Sequence, residues 1–338
     1  MTKTRSPKGE EHTPHLGFGF GASFGFLVSG FGFTRGCTVG FFAAGVIVKS
    51  MSNSIAEIED IRIERKAFEG EVVDVMGGSS RWEVKVHDHG MVALLDVMPR
   101  FAPLGKTADF AIVQAARVSY GAGTKQVNED RGLIRYLARH RHTTPFEMVE
   151  FKFHHVMPIF IARQWIRHRT ANVNEYSARY SVVKDRFYHP SIENVRKQSA
   201  SNRQGGEEPI DPVTAQEFLD HLDKVEADYA AYEKLMEKGV SRELARIALP
   251  VSVYTEWYWK CDLHNIFHFL SLRMDAHAQQ EIRDYANAMF ALIRPIVPIA
   301  AEAFVDYNFE GLHLTRLEVE AIRTGGAIAT ENKREAAE

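Results

Sequence analysis

Between residues 82 and 98 the chain reads WEVKVHDHGMVALLDVM, with apolar and polar residues alternating on both sides of Asp88-His89-Gly90. Period-two alternation across a short turn signal is a hairpin, so a small sheet starts there. Beyond residue 98 the spacing is mostly helical instead. Residues 108–118 (ADFAIVQAARV) and 130–139 (DRGLIRYLAR) read as helices, Thr143-Thr144-Pro145 supplies a turn, and FEMVEFKFHHV reads as a second strand. Pro158 opens IFIARQWIRHR as a helix, in which Gln164, Arg167 and His168 share a face by three- and four-residue spacing. RKQSASNRQGGEEPIDP, residues 196–212, reads as a long surface loop. Helices resume over 214–238, Ser241 caps SRELARIAL, and 263–294 is the longest helical pattern. Few strands among many helices predict an α/β fold: a compact, mostly helical domain around a small antiparallel or mixed sheet, spanning residues 72–320.

The flanks divide differently. Residues 51–71 form a charged lead-in, and 321–338 read as a disordered tail. Residues 16–48 are rich in Phe and Gly and nearly free of charge. A membrane segment, a signal peptide and upstream sequence ahead of a true start at Met51 all compete for them. The glycines and Arg35 weaken the first reading, and no small-residue cleavage site supports the second. The third is preferred, because MSNSIAEIEDIRIER begins as an ordinary soluble terminus; residues 1–50 then need not belong to the native protein. Only Cys37 and Cys261 occur, which excludes a disulfide framework and fits a reducing cytoplasm.

Charge is concentrated in one place. Arg163, Arg167, Arg169, Arg179, Lys184 and Arg186 stand against only Glu175 and Asp185, in a chain of net charge −3. Guanidinium groups grip phosphate or carboxylate through paired hydrogen bonds, so the cluster points to an anionic ligand, with a solvated, ion-paired surface as the plain alternative. The near-neutral chain argues against a general nucleic-acid binder. Arg273 lies on an apolar helix face and requires an acidic or carbonyl partner, from protein or ligand. Trp165, Tyr176, Tyr180 and Trp257 to Trp259 offer surfaces for a flat ring, although core packing is their ordinary role.

Other chemistries are less well supported. His264 and His268 are one helical turn apart after Asp262, but no Glu follows the first His and no third ligand has diagnostic spacing, so no metal is expected. Ser177 lacks the setting of a hydrolase nucleophile and serves better as a hydrogen-bond partner for phosphate. Neither GxGxxG nor GxxxxGK[ST] occurs, so a nucleotide must be held by side chains.

Arg167-His168-Arg169, seven residues and then Ser177 resembles the hallmark of the flavin-dependent thymidylate synthases. The likeness continues through AARVSYGAGTK, HTTPFEMVEFKF, SRELARIALP and LSLRMDAHAQQEIRDYA, over roughly residues 90–310. It implies reductive methylation of dUMP to dTMP, with methylenetetrahydrofolate as one-carbon donor and FAD, recharged by NADPH, as hydride source. It also implies a homotetramer with shared active sites, and neither a nucleic-acid nor a membrane partner for the catalytic domain. By motif position, Gln164, Trp165, Ile166, Arg167, Glu175, Tyr176, Ser177, Ala178, Arg179, Arg246 and Arg273 are implied dUMP contacts. Thr144, Arg167, His168, Arg169, Glu175, Asp262, Leu263, His264 and His268 are implied FAD contacts, with His142 near flavin or folate. Arg273 is the implied catalytic residue, polarising the uracil. Asp262, His264 and His268 stand where other members place Asn and Arg, or Asn.

Overall fold

A computed structural model describes residues 64–67, 80–99, 106–118, 130–200 and 205–325, all within the unit Lys49–Glu338. Residues 1–50 and 326–338 lie outside the described residues. The hairpin forms as its alternation requires: β2 (Ser80–Val86) turns through residues 87–89 into β3 (Gly90–Met98), with Trp82 opposite Leu94 and Val84 opposite Val92. A short strand, β1 (Glu64–Ala67), pairs with β2, so part of the lead-in belongs to the sheet. Then come α1 (Asp109–Val118), α2 (Asp130–Arg139), the single turn α3 (Thr144–Glu147) where the sequence predicts only a bend, and β4 (Glu150–Pro158).

Two strands that the sequence pattern does not reveal complete the sheet. β5 (Asn172–Glu175) and β8 (Tyr254–Asp262) give an order β1-β2-β3-β4-β8-β5, every neighbouring pair antiparallel. β8 lies between β4 and the edge strand β5. It pairs with β4 along its length, placing Phe151 opposite Cys261, Phe153 opposite Trp259 and His155 opposite Trp257. Thr255, Trp257, Trp259 and Cys261 face inward, whereas Glu256, Tyr258 and Lys260 are less buried.

Helices cover the inner face of the sheet. α4 (Ile159–Trp165) follows β4 directly, with Pro158 as its N-cap. It stops earlier than its apolar spacing predicts: Ile166 caps it, donating to Ala162 O, and Arg167, His168 and Arg169 lie beyond the helix. The pattern over 263–294 is likewise two helices, α8 (Leu263–Arg273) and α9 (Gln280–Ile293). Between them Asp275 Oδ1 accepts from the His277 backbone N–H at 2.8 Å, a side-chain turn that competes with helix continuation. α9 is buried from Tyr285 to Ile293, and the Tyr285 hydroxyl donates to Val156 O at 2.9 Å, tying helix to sheet. Trp165, Trp259, Phe151, Phe153 and Phe269 fill the space between; each such side chain contributes about 1.5–3 kcal/mol on burial.

The outer elements differ from expectation in detail. The segment 196–212 contains a hairpin, β6 (Arg196–Gln198) with β7 (Gly206–Pro209). Residues 214–238 divide into α5 (Pro212–Glu226) and α6 (Tyr229–Glu237). Ser241 stands at the N-cap of α7 (Arg242–Ala245), but its side chain makes no cap hydrogen bond there. α10 (Pro298–Phe304) runs into a π-turn (Val305–Phe309), and α11 (Arg316–Thr324) continues past residue 320. A capping box of Thr315 and Glu318 starts α11, and Gly325 at φ 63° ends it, so residues 321–325 are ordered helix end rather than tail.

Candidate active site

The end of α8 meets the turn after α4. Arg273, the last residue of α8, donates from Nε to His168 Nε2 at 3.0 Å. A guanidinium always donates, so His168 accepts through Nε2 and carries its proton on Nδ1. Burial, with smaller repulsion from Arg273 and His268, pushes the His168 pKa down to about 4, which leaves the ring neutral at ordinary pH. Burial and the neighbouring Arg167 lower the pKa of Arg273 itself. The expected acidic or carbonyl partner is absent among the described residues; a neutral imidazole takes its place. Two guanidinium groups therefore stand close together, one of them partly desolvated, with no carboxylate of the described residues bonded to either. Such a pair is stabilised by an external anion.

A second wall comes from β5 and the segment after it. Glu175, ending β5, accepts from Thr255 Oγ1 at 2.7 Å, and Tyr176 N–H donates to Glu256 O at 2.8 Å, fixing this edge against β8. Ser177 O accepts from the backbone N–H groups of Tyr180 and Ser181, both at 3.1 Å, and Ser177 Oγ accepts from Arg179 N–H at 3.4 Å. Tyr176 closes the loop by donating to Val182 O. α7 holds the loop from outside. Arg179 Nε meets Glu243 Oε2 at 3.2 Å, and Arg242 Nη1 donates to Tyr180 O at 2.8 Å. Arg246 sits in the 3-10 turn directly after α7, half-buried. Ala178 packs against the small core around Phe187, Tyr229 and Tyr232.

The third part is a cavity of about 290 Å³ between α2, α3, α8 and α10. Leu137, Phe146, Phe267 and Phe304, all core residues, form its apolar lining; Arg141, His142, His264, His268 and His313 add nitrogen groups. Thr143 lines it and Thr144 is the next residue along the chain. Arg141 takes φ 56°, a strained backbone for a non-glycine residue, at the bend that presents His142.

The residues singled out in the sequence thus fall into groups. Arg167, His168, Arg273 and His268 come together, His168 and His268 having ring centroids 5.9 Å apart. Gln164 is bonded to Gln279, just before α9. Ile166 is partly exposed and Arg169 exposed. The side chains of Trp165 and Leu263 are core, each fully buried, which leaves only their backbone for ligand contact. Asp262 is the N-cap of α8, its Oδ1 accepting from Asn265 N–H at 2.9 Å and its Oδ2 from Asn265 Nδ2 at 2.8 Å. Both oxygens have a structural use. Gln279, Glu243, Thr255, Arg141 and His313 are additions that sequence reasoning missed: they reach the site from distant segments, and only the basic run around Arg141 carries a local signal.

A family profile described as thymidylate synthase complementing protein matches residues 102–299. The chain is 76% identical over 279 residues to a flavin-dependent thymidylate synthase of Dictyostelium discoideum, covering 82% of this chain and 92% of that one. It is 54% identical over 242 residues to a flavin-dependent thymidylate synthase of Wolbachia pipientis wMel, covering 71% and 82%. A crystal structure of the UMP/dUMP methylase PolB from Streptomyces cacaoi bound with 5-Br dUMP is similar at TM-score 0.57 and 33% identity, over 67% of this chain and 98% of that one.

Proposed function

The chain belongs to the flavin-dependent thymidylate synthases, a family of methyltransferases, and from that premise we propose that it converts dUMP to dTMP with methylenetetrahydrofolate as carbon donor, FAD as hydride source and NADPH as reductant. One observation carries the reading: Arg273 and Arg167 adjoin without a carboxylate among the described residues, Arg273 being oriented by a neutral His168. A pyrimidine monophosphate supplies the missing anionic charge twice, in its phosphate and in a ring that becomes negative when its nitrogen ionises.

His168 engages Arg273 only through Nε, so both Nη groups are free of protein partners among the described residues. They stabilise charge on the uracil as it develops, and because the imidazole already fixes the guanidinium, little reorganisation accompanies the reaction. Arg179 and Arg246, on and beside the loop braced by α7, bind the phosphate. The Ser177 hydroxyl, which accepts from Arg179 N–H, has its own proton to donate to that phosphate. Glu175, held by Thr255, fixes the edge of β5 next to that loop.

The residues present fit a flavin dinucleotide: apolar side chains for a ring, and Arg141, Arg167, Arg169 and Thr144 for phosphate oxygens. When bound, the flavin supplies the hydride of the reductive step. Ligand pockets for drug-sized molecules span about 300–1,000 Å³, so a cavity near 290 Å³ holds only part of a dinucleotide. The remainder falls on exposed residues such as Arg167 and Arg169, to be covered by other copies in a homotetramer with shared sites. None of the helices among the described residues is long and apolar enough to cross a membrane. The reading places the enzyme in the cytoplasm.

Purified protein should absorb as a flavoprotein and release tritium from dUMP labelled at ring carbon five when given NADPH and methylenetetrahydrofolate. A folded, colourless protein that ignores added FAD would sink the reading. Arg246→Ala should weaken dUMP binding about tenfold or more, the loss expected for a charge-assisted contact worth about 1.5–3 kcal/mol; calorimetry that returns the parent affinity removes Arg246 from the phosphate site.

A further inference from the structure

α8 and α9 are joined by residues 274–279, and this connector is tied to the end of α4 from both sides. Arg273, just before it, donates to His168, and Gln279, its last residue, accepts through Oε1 from Gln164 Nε2. Gln164 and His168 are only four residues apart, so both bonds join the same two segments. The connector has contacts of its own that fix its path. Met274 is fully buried and donates from N–H to Leu270 O at 2.9 Å, Ala278 N–H donates to Asp275 O at 2.9 Å, and Arg283 Nη1 donates to Ala276 O at 3.1 Å. Gln279 is the N-cap of α9, yet its side chain makes no cap hydrogen bond. Its amide serves Gln164 instead of the helix.

That bond decides which end of the Gln164 amide is engaged. A carboxamide offers two donors on nitrogen and an acceptor oxygen. With Nε2 held by Gln279, Gln164 Oε1 has no protein partner among the described residues, and it belongs to the motif segment three residues before Arg167. An amide free to turn over would present either end to a ligand; a held one presents its oxygen, which selects a donor. On a pyrimidine deoxynucleotide the phosphate is largely the dianion at neutral pH, and the ring N–H is lost when the ring nitrogen ionises. The sugar hydroxyl is the donor that persists.

We propose that Gln279 is a positioning residue: it holds the Gln164 amide with its oxygen toward the nucleotide, where it accepts from the sugar hydroxyl. The role rests on the function proposed above, since it requires dUMP in this site.

The test is calorimetric titration of the FAD-loaded full chain with dUMP and with its dideoxy counterpart, in which hydrogen replaces that hydroxyl. The parent should prefer dUMP about two- to tenfold, the range of one net hydrogen bond. Gln279→Met, which keeps the side-chain length without the acceptor, should lose most of this preference and bind the dideoxy nucleotide as the parent does. Gln279→Ser supplies a preferred N-cap and should behave alike, so that a weakened helix start cannot imitate the effect. Gln164→Met should also lose the preference, and the double variant Gln164→Met with Gln279→Met should be no worse, because one residue acts through the other. A merely structural Gln279 would weaken both nucleotides equally; that result overturns the role, as do additive losses in the double variant or a full preference in Gln279→Met. A parent that binds dUMP without preference over the dideoxy nucleotide also removes the role and leaves the proposed function standing. A folded parent that holds FAD and binds neither nucleotide sinks the proposed function and this role with it.

Discussion

Arg273 shows how one residue's surroundings define its work. Its motif position suggests a polarising cation, but that its partner is an imidazole across 105 residues of chain emerges only from the fold. Arg273→Ala should leave the fold intact, since no acid loses its partner, and should lower turnover about 10²–10³-fold, the cost of removing one donor aimed at developing charge. Full turnover in that variant would exclude the polarising role. His168 carries a pH consequence as well. Its pKa falls from about 6.5 in the unfolded chain to about 4 in the fold, so between those values the unfolded chain binds more protons. Its contribution to stability is therefore complete above about pH 6.5 and is lost as pH falls toward 4. Buried His155 acts with the same sign. Thermal melts between pH 7.5 and 4.5 should decline toward acid, and His168→Gln should flatten the decline; an unchanged slope would assign it elsewhere.

At the scale of elements, legibility tracks periodicity. The β2–β3 hairpin and α2 stand where their patterns put them because each has one clear period and one buried face. β8 is hidden by its composition: Tyr258 is an aromatic residue on the outward side, which breaks the apolar-polar alternation that Glu256, Lys260 and Asp262 otherwise mark in YTEWYWKCD. The motif helix and the pattern over 263–294 read too long, because apolar spacing continues through Ile166 and Met274 while local backbone bonds end the helices. Site residues within motifs are legible; Gln279, Thr255 and His313 are not, because only tertiary pairing makes them neighbours. Gly90 opens β3 where a Cβ would overlap the Tyr285 hydroxyl and approach Val86 O to 2.5 Å. With that hydroxyl held by Val156 O, Gly90→Ala should destabilise by about 1–3 kcal/mol, read as a lower urea midpoint. Asp262→Ala should remove the α8 cap at a cost of about 1 kcal/mol, with equal midpoints arguing that Asn265 caps unaided.

For the whole molecule, the matched family profile starts at residue 102 and every described residue lies beyond residue 63. Because the profile begins well after Met51, a chain lacking residues 1–50 should retain soluble expression and dTMP formation, and loss of either would give the Phe/Gly-rich segment a part in the enzyme. Within the described unit, Phe267 stacks on Phe304 with centroids 4.6 Å apart, and both rings belong at once to the cavity and to the principal core. The recess thus shares two of its walls with the hydrophobic interior, and a cofactor held there, as proposed, would pack against the core. Storage life, resistance to protease and heat tolerance should all track ligand saturation, rising by mass action with free cofactor, so that scarcity of cofactor in a cell would shorten the lifetime of the enzyme as well as idle it.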